Sequence, residues 1–178
     1  MATKITPDFH VTAAQMLDGE SDRGCVLVGA SLLDEALTDG LRRRLSLSAH
    51  AVKHAVDPLF RAMGPLSTLS AKIKTAYALG LVTESMFRDL ERTRELRNAF
   101  AHKQHPVDML DVAIKAEIAL LTTGTAEIDQ LQRYDVKSTA GRRPSASEIA
   151  AKGFVKAPKA RFTMCIYKLI AHLEAGAT

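Results

Sequence analysis

Apolar positions recur at helical spacing over most of the chain. Between Gly24 and Leu45 the residues Cys25, Val26, Leu32, Leu33, Ala36, Leu37 and Leu41 fall on one broad face at 3.6 residues per turn, which predicts an amphipathic helix. Ser21 or Asp22 is placed to cap it, and Arg42, Arg43 and Arg44 stand at its end, where cations suit the negative pole; that run reads as a solvated helix end. Leu45 to Val56 predicts a short second helix, with Asp57-Pro58 and Gly64-Pro65 as breaks. Helical spacing resumes from Ser67 to Leu79, and Gly80 is placed to end it in the left-handed conformation. Thr83 then caps a helix of about twenty residues reaching His102, and Pro106 opens another through Asp108, Leu110, Ala113, Ile114, Ile118 and Leu121. A last helix, Ala160 to Ala175, carries Phe162, Cys165, Ile166, Leu169, Ile170 and Leu173 on one side. No segment alternates as a strand does. The expectation is an all-α fold, a single helical bundle of about six to eight helices. Residues 1–178 form one domain in this reading, with 122–158 a basic, loop-rich excursion and 160–175 a closing helix.

Composition narrows the chemistry. The 178 residues are 47% hydrophobic and 25% charged, the balance of an ordinary globular chain with a packed core. Aromatics are only 5%, with no Trp, so a stacking platform for unpaired bases has little to stack with. Cys25 and Cys165, the only cysteines, lie in apolar helical patterns and read as reduced buried thiols, which leaves neither a disulfide framework nor a cysteine-based zinc site. The amino end lacks the apolar run of a secretory signal, and no stretch reaches the roughly 18 apolar residues of a membrane span, so a cytoplasmic protein is expected. From 137 to 161 seven Lys or Arg face one acid, Glu148. Arg142, Arg143, Lys152, Lys156, Lys159 and Arg161 therefore read either as a solvated excursion or as an electrostatic docking arm for phosphate or an acidic partner.

The helix from Ser67, the turn at Gly80 and the helix after Thr83 have the silhouette of a helix-turn-helix. A recognition helix presents a basic or polar first turn to bases, whereas this one begins with Glu84, Arg88 and Asp89 and runs past groove-reading length, so an antiparallel hairpin fits better. Phosphate-binding loop, dinucleotide glycine fingerprint, paired zinc-ligand histidines and nucleophile elbow are all absent, and no cofactor or metal is expected. Ser21 and Ser70 are explained as a cap and a core-edge serine.

What remains is RTRELRNAFAHK, with Arg94, Arg97, Asn98 and His102. Winding this helix puts Arg97 between Leu90 and Thr93 on the apolar side, where a guanidinium needs a carboxylate or several carbonyls. Asp22, followed by Arg23, has the converse problem at the start of the first long helix, and antiparallel packing would set the two ends together, so a bidentate Arg97–Asp22 bridge is expected. Asn98 and His102, four apart, share the adjoining face. Two uses of the motif follow: a tie between helices, or metal-free RNA cleavage, in which histidine moves a proton and arginine stabilises the charged phosphorane.

The stretches ESDRGCVLVGASLLDEAL, GPLSTLSAKIKTAYALGLVT and LRNAFAHK, in that order, resemble the mannitol operon repressor family of bacterial regulators, and KARFTMCIYKLIAHL looks like that family's closing helix. The resemblance implies an all-α regulator that represses sugar-alcohol transport genes without a recognisable DNA-binding motif. It directs expectation to a regulatory protein partner, with DNA contact indirect or weak. Arg97-Asn98 with His102 also looks like the Arg-x4-His signature of HEPN helical domains, many of them dimeric RNases. That likeness implies a homodimer, and RNA as the partner in the enzymatic alternative.

Overall fold

The computed structural model describes residues 17, 19–46, 48–102, 108–126 and 158–176, and every regular element among them is helical. Helix α1 (Asp22–Leu45) begins where Ser21 Oγ accepts from Gly24 N at 3.1 Å, with Asp22 in the positive first turn. Its arginine end is less solvated than the sequence implies. Arg43 Nη2 donates to Leu173 O at 2.9 Å, while Arg42 pairs with Asp57 at 3.3 Å and lies 5.2 Å over the Phe60 ring.

The short second helix exists in pieces: α2 (Ala49–Ala51), a π-helical turn at Val52–Val56, and α3 (Asp57–Phe60). Asp57-Pro58, expected as a break, does not interrupt the helical backbone: Pro58 stands in the first turn of α3, directly after the π-helical turn. The chain turns after Phe60, through Met63 at φ 72. Helix α4 (Leu69–Ala78) is capped by Thr68 Oγ1, which accepts from Ala71 N at 3.2 Å. Gly80, at φ 70, follows its last residues as expected, a conformation that costs glycine nothing for want of a Cβ. Helix α5 (Glu84–His102) starts after Thr83, whose Oγ1 accepts from Met86 N at 3.4 Å. Helix α6 (Val112–Ala119) begins later than Pro106 implies, at Asp111, whose Oδ1 accepts from Ala113 N and Ile114 N; Pro106 itself lies outside the described residues. Helix α7 (Pro158–Ala175) is the expected closing element.

α1 is the central element, with α7, α5 and α4 packed on it. Gly29 of α1 sits under α7: a Cβ there would lie 3.1 Å from Phe162 Cε1 and 3.4 Å from Ile166 Cγ1, so the absent side chain lets the two helices approach closely. Cys25, Leu33, Leu37, Ile73, Leu90, Phe100, Phe162 and Ile166 belong to one core cluster. Each fully buried Leu, Ile or Phe of this kind contributes about 1.5–3 kcal/mol. Among the described residues no helix is long and apolar enough to cross a membrane.

The α4–α5 pair is the hairpin the sequence implies. Glu84 and Arg88 pair with each other on its exposed first turn, and Leu90, Thr93, Leu96 and Phe100 bury the inner side of α5 in the core.

Candidate functional site

The start of α1 and the end of α5 do lie side by side, but other atoms than expected join them. Arg23 Nη2 donates to Ala101 O at 3.3 Å, and Asp22 Oδ2 accepts from Met109 N at 2.8 Å. The Asp22–Arg97 bridge is not formed, because the loop before α6 supplies the Asp22 carboxylate with a backbone amide. Arg97 is exposed, and its Nη1 donates to Asn98 Oδ1 at 3.1 Å. The helical wheel puts Arg97 on the apolar side, facing inward between Leu90 and Thr93, but it is exposed, because the neighbouring elements part there.

That parting is a cleft of about 510 Å³. One wall is Ala30, Ser31 and Asp34 of α1, the second is Ser67, Thr68, Leu69 and Ser70 leading into α4, and the third is Arg94, Arg97 and Asn98 of α5. Two of its charged groups are neutralised. Arg94 Nε and Nη2 reach Glu91 Oε2 at 3.1 and 2.8 Å, and Asp34 Oδ2 receives Lys72 Nζ at 2.7 Å. Lys72 is only 6% exposed, so this ion pair also pins α4 to α1. Among the described residues Arg97 pairs with no carboxylate.

The cleft thus gathers Arg94, Arg97 and Asn98 but leaves His102 outside its lining. His102 is exposed in the last turn of α5. Asn98 and His102 share a side of the helix, whereas Arg97 stands about 140° round the axis from His102 at 100° per residue. One chain therefore does not aim Arg97 and His102 at a single phosphate.

Of the basic segment, Arg142, Arg143, Lys152 and Lys156 lie outside the described residues. Lys159 and Arg161 have structural tasks instead of forming a free arm. Lys159 Nζ donates to Glu20 O, and Arg161 donates through Nε and Nη2 to Leu121 O at 3.2 and 2.8 Å, closing the end of α6 onto α7.

Cys25 and Cys165 are both buried and are not joined in a disulfide among the described residues. Burial, and secondarily the charge of Asp89, push the Cys165 thiol far up, with Arg161 pulling the other way, so it is no thiolate nucleophile near neutral pH. Among the described residues no group of three or more His, Cys, Asp or Glu is placed to hold a metal.

Sequence reasoning missed Asp34, Ser31, Ser67 and Thr68. The signal was the hydroxyl-dense run GPLSTLS directly before a helical pattern, together with an acid and a lysine on apolar faces in LLDEAL and AKIK.

Comparison with known proteins places this geometry. A family model described as "Mannitol repressor" matches residues 13–174. The mannitol operon repressors of Escherichia coli strains K12 and O6:H1 are each 32% identical over 84 residues, 47% of this chain and 43% of theirs, so the matched stretch spans less than half their length. Two solved structures share the fold. One is the X-ray structure of the MtlR-HPr complex from Escherichia coli, with TM-score 0.70 and 21% identity over 93% of this chain and 98% of that one. The other is a possible transcriptional regulator, YggD from Shigella flexneri 2a, with TM-score 0.71 and 18% identity over 96% and 99%. With a family match running from before α1 into the last turn of α7, the chain belongs to the mannitol repressor family.

Proposed function

We propose that this chain is a transcriptional repressor of sugar-alcohol transport genes that works by binding a regulatory protein and not by inserting a helix into DNA. The observation that carries this is the unbroken family match over residues 13–174. The fold shared with a protein solved in complex with HPr supports HPr as the partner. The buried inner side and paired first turn of α5 support a role for DNA that is indirect or weak. Such a repressor is cytoplasmic, one domain over 1–178, and a homodimer; the exposed Leu110, Val112 and Leu120 on and beside α6 offer apolar surface for self-association. In the same reading Arg142, Arg143, Lys152 and Lys156 form the acidic-partner docking arm.

Calorimetric titration of the full chain with HPr tests this, with operator DNA alone and with the two combined. Saturable binding to HPr and only weak, salt-sensitive binding to DNA is the expected pattern. Failure to bind either would overturn it.

A second reading keeps the metal-independent endoribonuclease, on the observation that Arg97 is exposed beside Asn98, without a carboxylate partner among the described residues, and that Asn98 lies one turn before an exposed His102. Because Arg97 and His102 diverge on one helix, such a site requires a second copy to complete it. RNA cleaved without metal by the wild type and left intact by a folded His102→Ala variant supports this reading. RNA left intact by a clean dimer in large excess rejects it.

A further inference from the structure

The cleft between α1, the segment before α4 and α5 combines size, several directional hydroxyl partners and, among the described residues, one cation without a carboxylate partner. Its volume of about 510 Å³ falls within the range usual for small-molecule sites, roughly 300–1,000 Å³. Arg94 is paired with Glu91 and Glu95, and Asp34 with Lys72, so among the described lining residues Arg97 is the cation left without a carboxylate partner. A guanidinium carries about five N–H donors in a planar fork suited to carboxylate or phosphate. Arg97 places one of them on Asn98 Oδ1. Arg97 lines the cleft, where the one acid among the described lining residues, Asp34, is already paired with Lys72.

The opposite walls suit hydroxyl groups. Asp34 Oδ2 takes the Lys72 ammonium, which leaves Oδ1 as an acceptor. Ser31 Oγ donates to Leu27 O and keeps its lone pairs, while Thr68 Oγ1 accepts from Ala71 N and keeps its proton. Ser70 adds a hydroxyl that both donates and accepts. Among the described residues of the cleft, the one cation without a carboxylate partner suits one anionic group better than an extended polyanion.

We propose that this cleft binds a small hydroxylated phosphate, of the sugar or sugar-alcohol phosphate class, with Arg97 on the phosphate and Asp34, Ser31, Thr68 and Ser70 on the hydroxyls. The assignment rests on the cleft alone and stands whether or not the chain represses transcription.

The test is calorimetric titration of the full chain with glycerol 3-phosphate, glucose 6-phosphate and mannitol 1-phosphate, alongside mannitol and inorganic phosphate. At least one phosphate ester saturates the protein, and it binds about tenfold or more tighter than mannitol or inorganic phosphate, the loss expected from removing a charge-assisted contact or the hydroxyl set. Arg97→Ala weakens that ester about tenfold or more without shifting the thermal midpoint, and Arg97→Lys recovers part of the loss. No saturation by any of the three esters overturns the proposal. So does undiminished binding in Arg97→Ala, or an Arg97-dependent site filled by a short RNA and not by the esters.

Discussion

The buried carboxylate of Asp89 holds Thr122: Oδ2 accepts from Thr122 N and Thr122 Oγ1, both at 3.0 Å, and from Thr123 N at 2.7 Å. Asp89 is fully buried, so α5 fastens the strap that follows α6 from inside the core. Asp89→Ala strands two amides and is expected to cost about 2–3 kcal/mol in chemical denaturation. Asp89→Asn, which keeps an acceptor, should cost about half as much. Equal, negligible costs would show that the strap is held by something else.

Cys165 links stability to alkaline pH. Its thiol is raised in the folded state, chiefly by burial, while in the unfolded chain it titrates near the ordinary thiol value of about 8.5. Its contribution is therefore complete below that value and declines as pH rises past it, because the unfolded chain releases a proton that the folded chain keeps. The decline is about 1.4 kcal/mol per pH unit. Unfolding free energies measured from pH 8 to 10.5 should fall more steeply for the wild type than for Cys165→Ala; parallel curves would contradict the protonated, buried thiol.

The Asp34–Lys72 pair has unequal partners, with side-chain exposures of 39% and 7%. Removing the acid leaves a buried ammonium, whereas removing the lysine leaves a carboxylate in reach of water. Asp34→Ala is expected to destabilise by about 1–3 kcal/mol, and Lys72→Met, which retains the apolar stem, by less than about 1 kcal/mol. The reverse order in thermal melts would reject this account of how α4 is pinned.

Arg97→Ala should leave stability within about 0.5 kcal/mol of wild type, since the side chain is exposed and, among the described residues, hydrogen-bonds to its neighbour Asn98 alone. Asp22→Ala should cost more, about 1 kcal/mol, because it frees the Met109 amide. Matching losses of several kcal/mol in both variants would restore the bridge that the structure replaces.

The sequence made the helices legible because their signals are local: Ser21 and Thr83 cap where expected, and Gly80 adopts positive φ. Even the antiparallel meeting of α1 with α5 could be read from two charged residues on apolar faces. The partners could not. Whether Arg97 finds Asp22 depends on how the chain between α5 and α6 delivers Met109, and on the cleft that opens between α1, α5 and the segment leading into α4. Neither has a periodic signature. Asp89 was read as part of a polar helix start for the same reason: the Thr122–Thr123 strap that satisfies it lies 33 and 34 residues away. Arg42 and Arg43 likewise find carboxylate and carbonyl partners from segments far along the chain.

Transcript level tests repression most directly. In cells grown without sugar alcohol, deleting this chain should raise transcription of the host's sugar-alcohol transport operon several-fold, and restoring it should lower it again. Transcript that is unchanged both on deletion and on overproduction of a folded chain would contradict the repressor role.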